Sequence, residues 1–295
     1  MRATFRACAT TLLLIFCSFL AVSDAAAVNL VPNPGFESLT SCPTGFGQLN
    51  LAAPWDMPNT GTSDAFNTCV TGWPPFPTPC VPVSPFGYQV PHGGNGYAGI
   101  IVRSSAADYR EYLEVPLSSP LVNGQTYAVK FYVNLGDTCS IAIDRLGAYF
   151  SVGPVGPLGN YAPLAYTPQV ETPVNVFYSD TLNWVLVSGT FVAAGGETHM
   201  IVGNFHDDAT TNTQATGNTW PGGAYYMVDD FSVEVQLPTV QACCTPDGLC
   251  SMQYPGECTL MGGYPGGAGT NCTSNPCGVT PVGKGSWGKL KRLYR

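Results

Sequence analysis

Charge is scarce in this chain of 295 residues: 10% are Asp, Glu, Lys or Arg, against 34 glycines and 26 prolines. Basic residues are scarcer still, and most lie at the ends. From Val28 to Gly283 there are 18 acidic and 4 basic residues (Arg103, Arg110, Lys130, Arg145), a balance of −14. A body so negative repels polyphosphate backbones and anionic membranes, which excludes nucleic acid as its partner. No segment after the first 22 residues has the length and apolarity of a membrane-spanning helix. Histidine is limited to His92, His199 and His206, in unrelated contexts, and neither a G-x-S-x-G elbow nor an H-E-x-x-H pair occurs. No ten-residue stretch of the body has a helical period.

What remains is an all-β composition. Val, Tyr, Phe and Thr recur in short alternating runs between turn residues. Strands are expected over Gln48–Leu51, Tyr97–Val102, Glu111–Val115, Thr126–Leu135, Arg145–Val152, Asn183–Val192, His199–Asn204 and Tyr225–Val235. The two-residue alternation is plainest in Tyr127–Val133 and Trp184–Phe191. Two long Pro/Gly-rich connections, 53–94 and 153–173, are expected to be functional or stapled, because loops of that length cost closure entropy and carry little core.

The first 27 residues read as a secretion signal: Arg2 and Arg6, an apolar run from Thr10 to Val22, and small residues ending in Ala25-Ala26-Ala27. Ten cysteines follow, Cys42, Cys69, Cys80 and Cys139 in the body and six between Cys243 and Cys277. An even number in an exported chain points to disulfides. Cys42–Cys69 is the favoured pair around the first loop, with connectivity otherwise open. The division expected is 1–27 signal peptide, 28–237 β-sandwich, 242–278 cysteine-rich module and 279–295 linker with a basic tail.

The opening segment Asn29-Leu30-Val31-Pro32-Asn33-Pro34-Gly35-Phe36-Glu37 and the closing one Val228-Asp229-Asp230-Phe231-Ser232-Val233-Glu234-Val235 each read as strands carrying carboxylates, suited to pairing side by side. Together they resemble the ends of jelly-roll domains of the galactose-binding or carbohydrate-binding-module type, where N-P-G-F-E starts and D-D-F/V-x-V finishes are common. The resemblance implies an all-β jelly-roll sandwich and a non-catalytic binding scaffold. It also implies a structural calcium tying first strand to last, with Asn33, Glu37, Asp229 and Asp230 as ligands, since hard Ca²⁺ takes six to eight oxygens. The competing reading is that these carboxylates cap turns or face solvent. The body also resembles a set of exported bacterial proteins through Cys42–Gln48, Gly87–Gly99 and Tyr109–Tyr112.

Residues 242–277 resemble a small cysteine-rich repeat, C-C-x-P-D-G-x-C with later x-E-C, G-G and P-C. With so little apolar matter, three disulfides are expected to hold it. Zinc is the competing reading, weakened by the lack of His. The end, Ser286–Arg295, has Trp287, Leu290 and Leu293 at helical spacing among Lys and Arg. It is similar to short W-G-x-[IL]-K-x-L-[YF]-R endings of exported proteins, which implies recognition by export or sorting machinery; a solvated tail is the alternative.

Sugar recognition needs exposed rings for stacking beside polar groups. Trp55, Trp73, Phe76 and Tyr88 in the first long loop and Trp220 before the last strand are the candidates, each with the competing reading of loop packing. Trp184, on an alternating strand, reads as core. His206-Asp207-Asp208 reads as a polar turn before it reads as an acid/base cluster, and a glycosidase carboxylate pair is spatial rather than sequential. The sequence therefore favours a secreted or cell-surface binding protein without catalysis, with an extracellular polysaccharide or glycoconjugate as partner. The alternative is an adhesive structural component that contacts proteins; a secreted hydrolase ranks third. Sugar binding predicts loop aromatics lining a groove, and a structural role predicts them buried.

Overall fold

The computed structural model describes residues 27–71, 78–219, 223–273 and 276–277. Residues 1–26 of the expected signal segment, the rings Trp73, Phe76 and Trp220, and the basic tail lie outside the described residues. Nine strands form the sandwich: β1 (Asp64–Asn67), β2 (Gly96–Arg103), β3 (Tyr112–Pro116), β4 (Thr126–Leu135), β5 (Gly147–Ser151), β6 (Val170–Glu171), β7 (Val185–Val192), β8 (His199–Gly203) and β9 (Ala224–Val235). They pair antiparallel into a five-stranded sheet ordered β1-β2-β9-β4-β7 and a four-stranded sheet ordered β3-β8-β5-β6. This is the all-β architecture expected from the alternation, in the jelly-roll sandwich that the resemblance of the two end segments implies.

Inward members of each strand make one core. Tyr127, Val129, Phe131 and Val133 of β4 are buried and pair in register with Val187 of β7 and Val228 and Val233 of β9. Phe150 of β5 stacks on Phe191 at 4.5 Å, closing the gap between the sheets. Successive side chains point to opposite faces, so the same strands present Ala128, Lys130 and Tyr132 outward.

The opening segment lies beside β9 as expected, but not as a ladder strand. Leu30 N donates to Val233 O at 2.8 Å, Val233 N donates to Asn29 Oδ1 at 3.0 Å, and Phe231 N donates to Pro34 O at 3.0 Å. Pro32 and Pro34 have no N–H to give, and Asn33 (φ 48°) and Phe36 (φ 57°) turn the chain through left-handed conformations. The segment fills the side of β9 that β2 leaves after Val228. A second expectation, a strand over Gln48–Leu51, gives way to a 3-10 turn at Leu49–Ala52. Leu49 and Ala52 are both buried, and their spacing of three suits that turn and not an alternating strand.

Both outer faces are partly roofed by the long loops. Phe86 of the first loop and Phe46 of the segment before it pack with Phe66 of β1 over the five-stranded sheet, held at one side by the Cys42–Cys69 disulfide. The second covers the other sheet through a small cluster of Tyr112, Leu164, Ile201 and Phe205. Leu164 N donates to the Tyr112 hydroxyl at 3.0 Å and Val155 N to Glu114 Oε1 at 2.6 Å. Beyond the sandwich, Gln241–Cys244 pairs with Cys250–Gln253 and Tyr264–Pro265, and a helix spans Pro255–Leu260. All six cysteines of this module are paired, Cys243–Cys258, Cys244–Cys277 and Cys250–Cys272, so no thiolate is left for zinc. Cys80 and Cys139 are buried free thiols.

Candidate functional site

Two halves of the outer face of the five-stranded sheet differ in kind. Toward β1 it is sealed. Tyr225 of β9 reaches across β2 above Gly99, where a Cβ would collide with its phenol ring, and its hydroxyl donates to Asp64 Oδ2 at 2.7 Å. Phe86 from the loop stacks on Tyr225 at 3.6 Å, and Phe66 on Tyr97 at 4.8 Å. Burial, with the neighbouring Glu111 charge second, pushes the Asp64 carboxyl up to about 8. Gly99→Ala is expected to lift Tyr225 off Asp64 and cost about 3 kcal/mol, read as a lower urea midpoint at unchanged m-value.

Toward β7 the face is open. Lys130 lies between Ser188 of β7 and Ser232 of β9 in register, with Thr190 and Glu234 flanking Ala128 one step along. Lys130, Ser188 and Thr190 are exposed, and Ala128, Ser232 and Glu234 are half-buried. Rings border this strip. His92 stacks on Tyr132 at 3.7 Å, and Trp184 stands edge-to-face with His92, ring centroids 6.1 Å apart. Trp184 Nε1 donates to Val90 O at 2.9 Å, which ties the 87–92 segment along the margin. Tyr88, 59% exposed, stands on that segment, anchored by its own N–H donating to Asp137 Oδ2 at 2.9 Å. A shallow shelf with one ammonium, one carboxylate, several hydroxyls and three rings at its rim can stack an apolar face and hydrogen-bond its substituents.

Next to the shelf lies an acidic brace. Asp230 sits at a bulge of β9 with φ 50° and meets His92 Nδ1 at 2.5 Å. Asp229 Oδ2 accepts His92 N at 2.9 Å and Gly93 N at 3.3 Å, and Oδ1 accepts Asp230 N at 2.8 Å. Glu37 Oε1 accepts Asn95 N at 2.8 Å and Gly96 N at 3.0 Å. The carboxylates come within van der Waals reach of the glycines: a Cβ on Gly94 would collide with Glu37, and one on Gly93 would lie 2.9 Å from Asp230. Burial first, then the Asp230 charge, raises Asp229 to about 8.

Glu37, Asp229 and Asp230 all lie against the glycine-rich turns at Gly35 and Gly93–Gly94, and Asn33 is turned elsewhere. The Asn33 amide donates to Ser38 O, Ala52 O and Ala53 O, and its Oδ1 accepts Ser38 N. Among the described residues no three His, Cys, Asp or Glu side chains converge to hold a metal ion. N–H groups of His92, Gly93, Asp230, Asn95 and Gly96 already donate to Asp229 and Glu37, and Asn33 is turned to Ser38, so as placed the four expected residues do not form a calcium cage; the brace closes on the loop backbone instead.

Of the other expected residues, Trp55 is core. It is 1% exposed, and its indole N–H donates to Asn33 O at 2.9 Å, so it has no face to offer a ligand. Tyr88 alone among the described ring candidates is exposed. Trp184 is half-buried rather than core. Tyr132 and His92 were passed over as members of an alternating run and an isolated histidine. Lys130, in the middle of that run, marked its outward phase and with it Tyr132.

The polar groups around His206 are held in ion pairs and a turn cap. His206 Nε2 meets Glu171 Oε1 at 2.7 Å, and Arg145 Nη1 meets Glu171 Oε2 at 3.1 Å. Asp207 caps the following turn through Thr210, and Asp208 pairs with the fully buried Arg110 at 2.9 Å. A cavity of about 390 Å³ where the chain leaves the sandwich is lined by Thr126, Gln236, Pro238, Gln241 and Pro255 among others, with no ring and no charge. No described helix is long and apolar enough to cross a membrane.

No protein-family model matches the chain, and no curated protein matches it in sequence. Among solved structures it is similar to the CBM22-1 xylan-binding domain of Paenibacillus barcinonensis Xyn10C, at 12% identity over 68% of this chain and 90% of that one, with a TM-score of 0.35. It is also similar to the K1 cleaved adhesin domain of Lys-gingipain from Porphyromonas gingivalis W83 (13%, 69% and 96%, TM-score 0.34). A third is TmCBM61 in complex with β-1,4-galactotriose (17%, 71% and 99%, TM-score 0.31). Similarity at this level says nothing of what this chain binds.

Proposed function

We propose that this is an exported, non-catalytic binding protein that takes an extracellular polysaccharide or glycoconjugate on the open strip of the five-stranded sheet. The observation that carries the reading is the strip itself: Lys130, Ser188, Thr190 and Ser232 in register, rimmed by Tyr132, Trp184 and Tyr88. Sugar rings present C–H faces to aromatic planes and hydroxyls to such side chains, and a strip open along the strands admits a chain rather than a single residue. The buried carboxylates Asp64, Glu111 and Asp229 are shut under the loop by hydrogen bonds and have no access to a substrate. Four disulfides suit an oxidising compartment. The basic tail, Lys284–Arg295, is proposed as the address read by sorting machinery.

The test is a glycan array of the mature chain, followed by titration calorimetry on the best hit. Tyr132→Ala is expected to weaken binding at least tenfold, about 1.4 kcal/mol, while Val122→Ala on a distant turn leaves it unchanged. Repeating the titration with calcium and with a chelator tests the calcium expectation; the hydrogen-bonded brace predicts the same affinity in both. A second reading, a structural or adhesive component, is favoured by the inward packing of the loop rings Trp55 and Phe86 rather than their lining a groove. A blank array for folded protein would overturn the sugar reading in its favour.

A further inference from the structure

The four edges of the sandwich are treated differently. β1 is flanked by an isolated bridge between Asn67 and Cys80. β3 is flanked by Asp56, whose N–H donates to Glu114 O at 2.9 Å and whose carbonyl accepts Glu114 N at 2.8 Å. β6 has two residues. β7 is the exception: eight residues long, regular, and hydrogen-bonded among the described residues to β4 alone. Its sequence, Val-Leu-Val-Ser-Gly-Thr-Phe-Val, has no charge and no proline, the devices that usually blunt an edge.

We propose that β7 is a self-association edge, on which a second copy of this chain adds its own β7 antiparallel about a two-fold axis to make one ten-stranded sheet. The occupant follows from the register. With the axis at Gly189, Ser188 faces the partner's Thr190, Leu186 faces the partner's Val192, and Val187 faces the partner's Phe191. Hydroxyl meets hydroxyl on the outer face, and the exposed apolar groups Leu186 (41%) and Val192 (64%) cover each other. A centre on a residue satisfies the free backbone groups whichever alternate set points outward. Such an isologous pairing uses one patch twice and closes at the dimer. A cavity of about 290 Å³ lined by Val176, Phe177, Tyr178, Ser179 and Asp180 opens beside Val185 and Leu186, at the end where the partner's Val192 arrives.

Electrostatics and area set the strength. No like charges meet along the strand, but the two bodies carry −14 each from Val28 to Gly283, so association tightens as salt screens them. An added strand of eight residues buries on the order of 1,000 Å² in total, the low end of specific interfaces, which makes a weak, concentration-dependent dimer.

Sedimentation velocity of the mature chain over about 1–500 µM, at low and at high salt, tests this. The expected result is a monomer–dimer equilibrium that moves toward dimer with salt. Ser188→Lys with Thr190→Lys puts like charges across the axis and is expected to leave only monomer, with an unchanged melting temperature showing the fold intact. Ser188→Lys with Thr190→Glu puts opposite charges across the same axis and is expected to restore the dimer. Monomer at every concentration, or a dimer indifferent to both double variants, overturns the proposal. Neither outcome depends on sugar binding, which the array reads separately.

Discussion

Stability is expected to fall as pH rises from about 4 to about 8, because buried carboxyls that stay protonated in the fold ionise in the unfolded chain. Asp64 and Asp229 are both pushed up to about 8, in each case by burial first and by a neighbouring carboxylate second. Glu111 is raised by burial in the same sense. In the unfolded chain these groups ionise in the ordinary carboxylate range. Across the interval between, the folded state holds protons that the unfolded state has released, so raising the pH favours unfolding. Exposed groups work the other way below that interval. Asp180, held low by the Asn183 N–H, and Asp207, held low by the Thr210 hydroxyl, contribute stability that is lost as pH falls through their folded values. Maximum stability is therefore expected in mildly acidic solution, around pH 4–5.

Urea unfolding at a series of pH values measures the effect, and Asp64→Asn isolates one contributor. The amide oxygen can still accept from Gly47 N and the amide nitrogen can donate to the Tyr225 oxygen, while nothing remains to ionise. The variant is expected to lose one group's share of the slope above pH 4 and to overtake the wild type near pH 8. A stability curve that climbs steadily from pH 4 to pH 8 would show these carboxyls to be ionised in the fold.

Replacing Trp55 by alanine is expected to cost about 4 kcal/mol, enough to leave a marginal domain partly unfolded at room temperature. Its ring centroid lies 4.9 Å from those of Phe36 and Phe231, so it joins the opening segment, the first loop and β9. Its N–H also satisfies the carbonyl of Asn33, which stands in a left-handed turn that leaves few alternatives. Trp55→Phe keeps a ring but strands that carbonyl, and is expected to cost about 1–2 kcal/mol. Hydrogen exchange distinguishes the two. With alanine, the Leu30 and Val233 amides should lose protection; with phenylalanine, they should keep most of it.

The alternating strands were legible because one face of each is buried and the other is not, and β4 came out with its ends correct. The opening segment was placed beside β9 rightly, but its backbone was not, since two prolines and two left-handed residues leave too few N–H groups for a ladder. A disulfide at the first loop was legible from the three cysteines that bracket it, but that Cys42 takes Cys69 and leaves Cys80 a free thiol was not fixed by the spacing. The site was less so. Trp55 and Tyr88 look equivalent in a Pro/Gly-rich loop, and whether a ring turns in or out depends on contacts with Phe231 and Asp137, more than 170 and nearly 50 residues away. Nor did the spacing of Glu37 and Asp229 reveal that N–H groups of the 92–96 segment would donate to their carboxylates.

Among the described residues no disulfide crosses between the sandwich and the cysteine-rich module: Cys42–Cys69 is internal to the first, and the other three are internal to the second. The stretch Leu237–Val240 between them is exposed along its length. A single peptide cleavage there leaves no covalent link, so the two halves form a detachable pair. An exposed link of this kind is where proteolysis would part the sandwich from the module while each keeps its own disulfides.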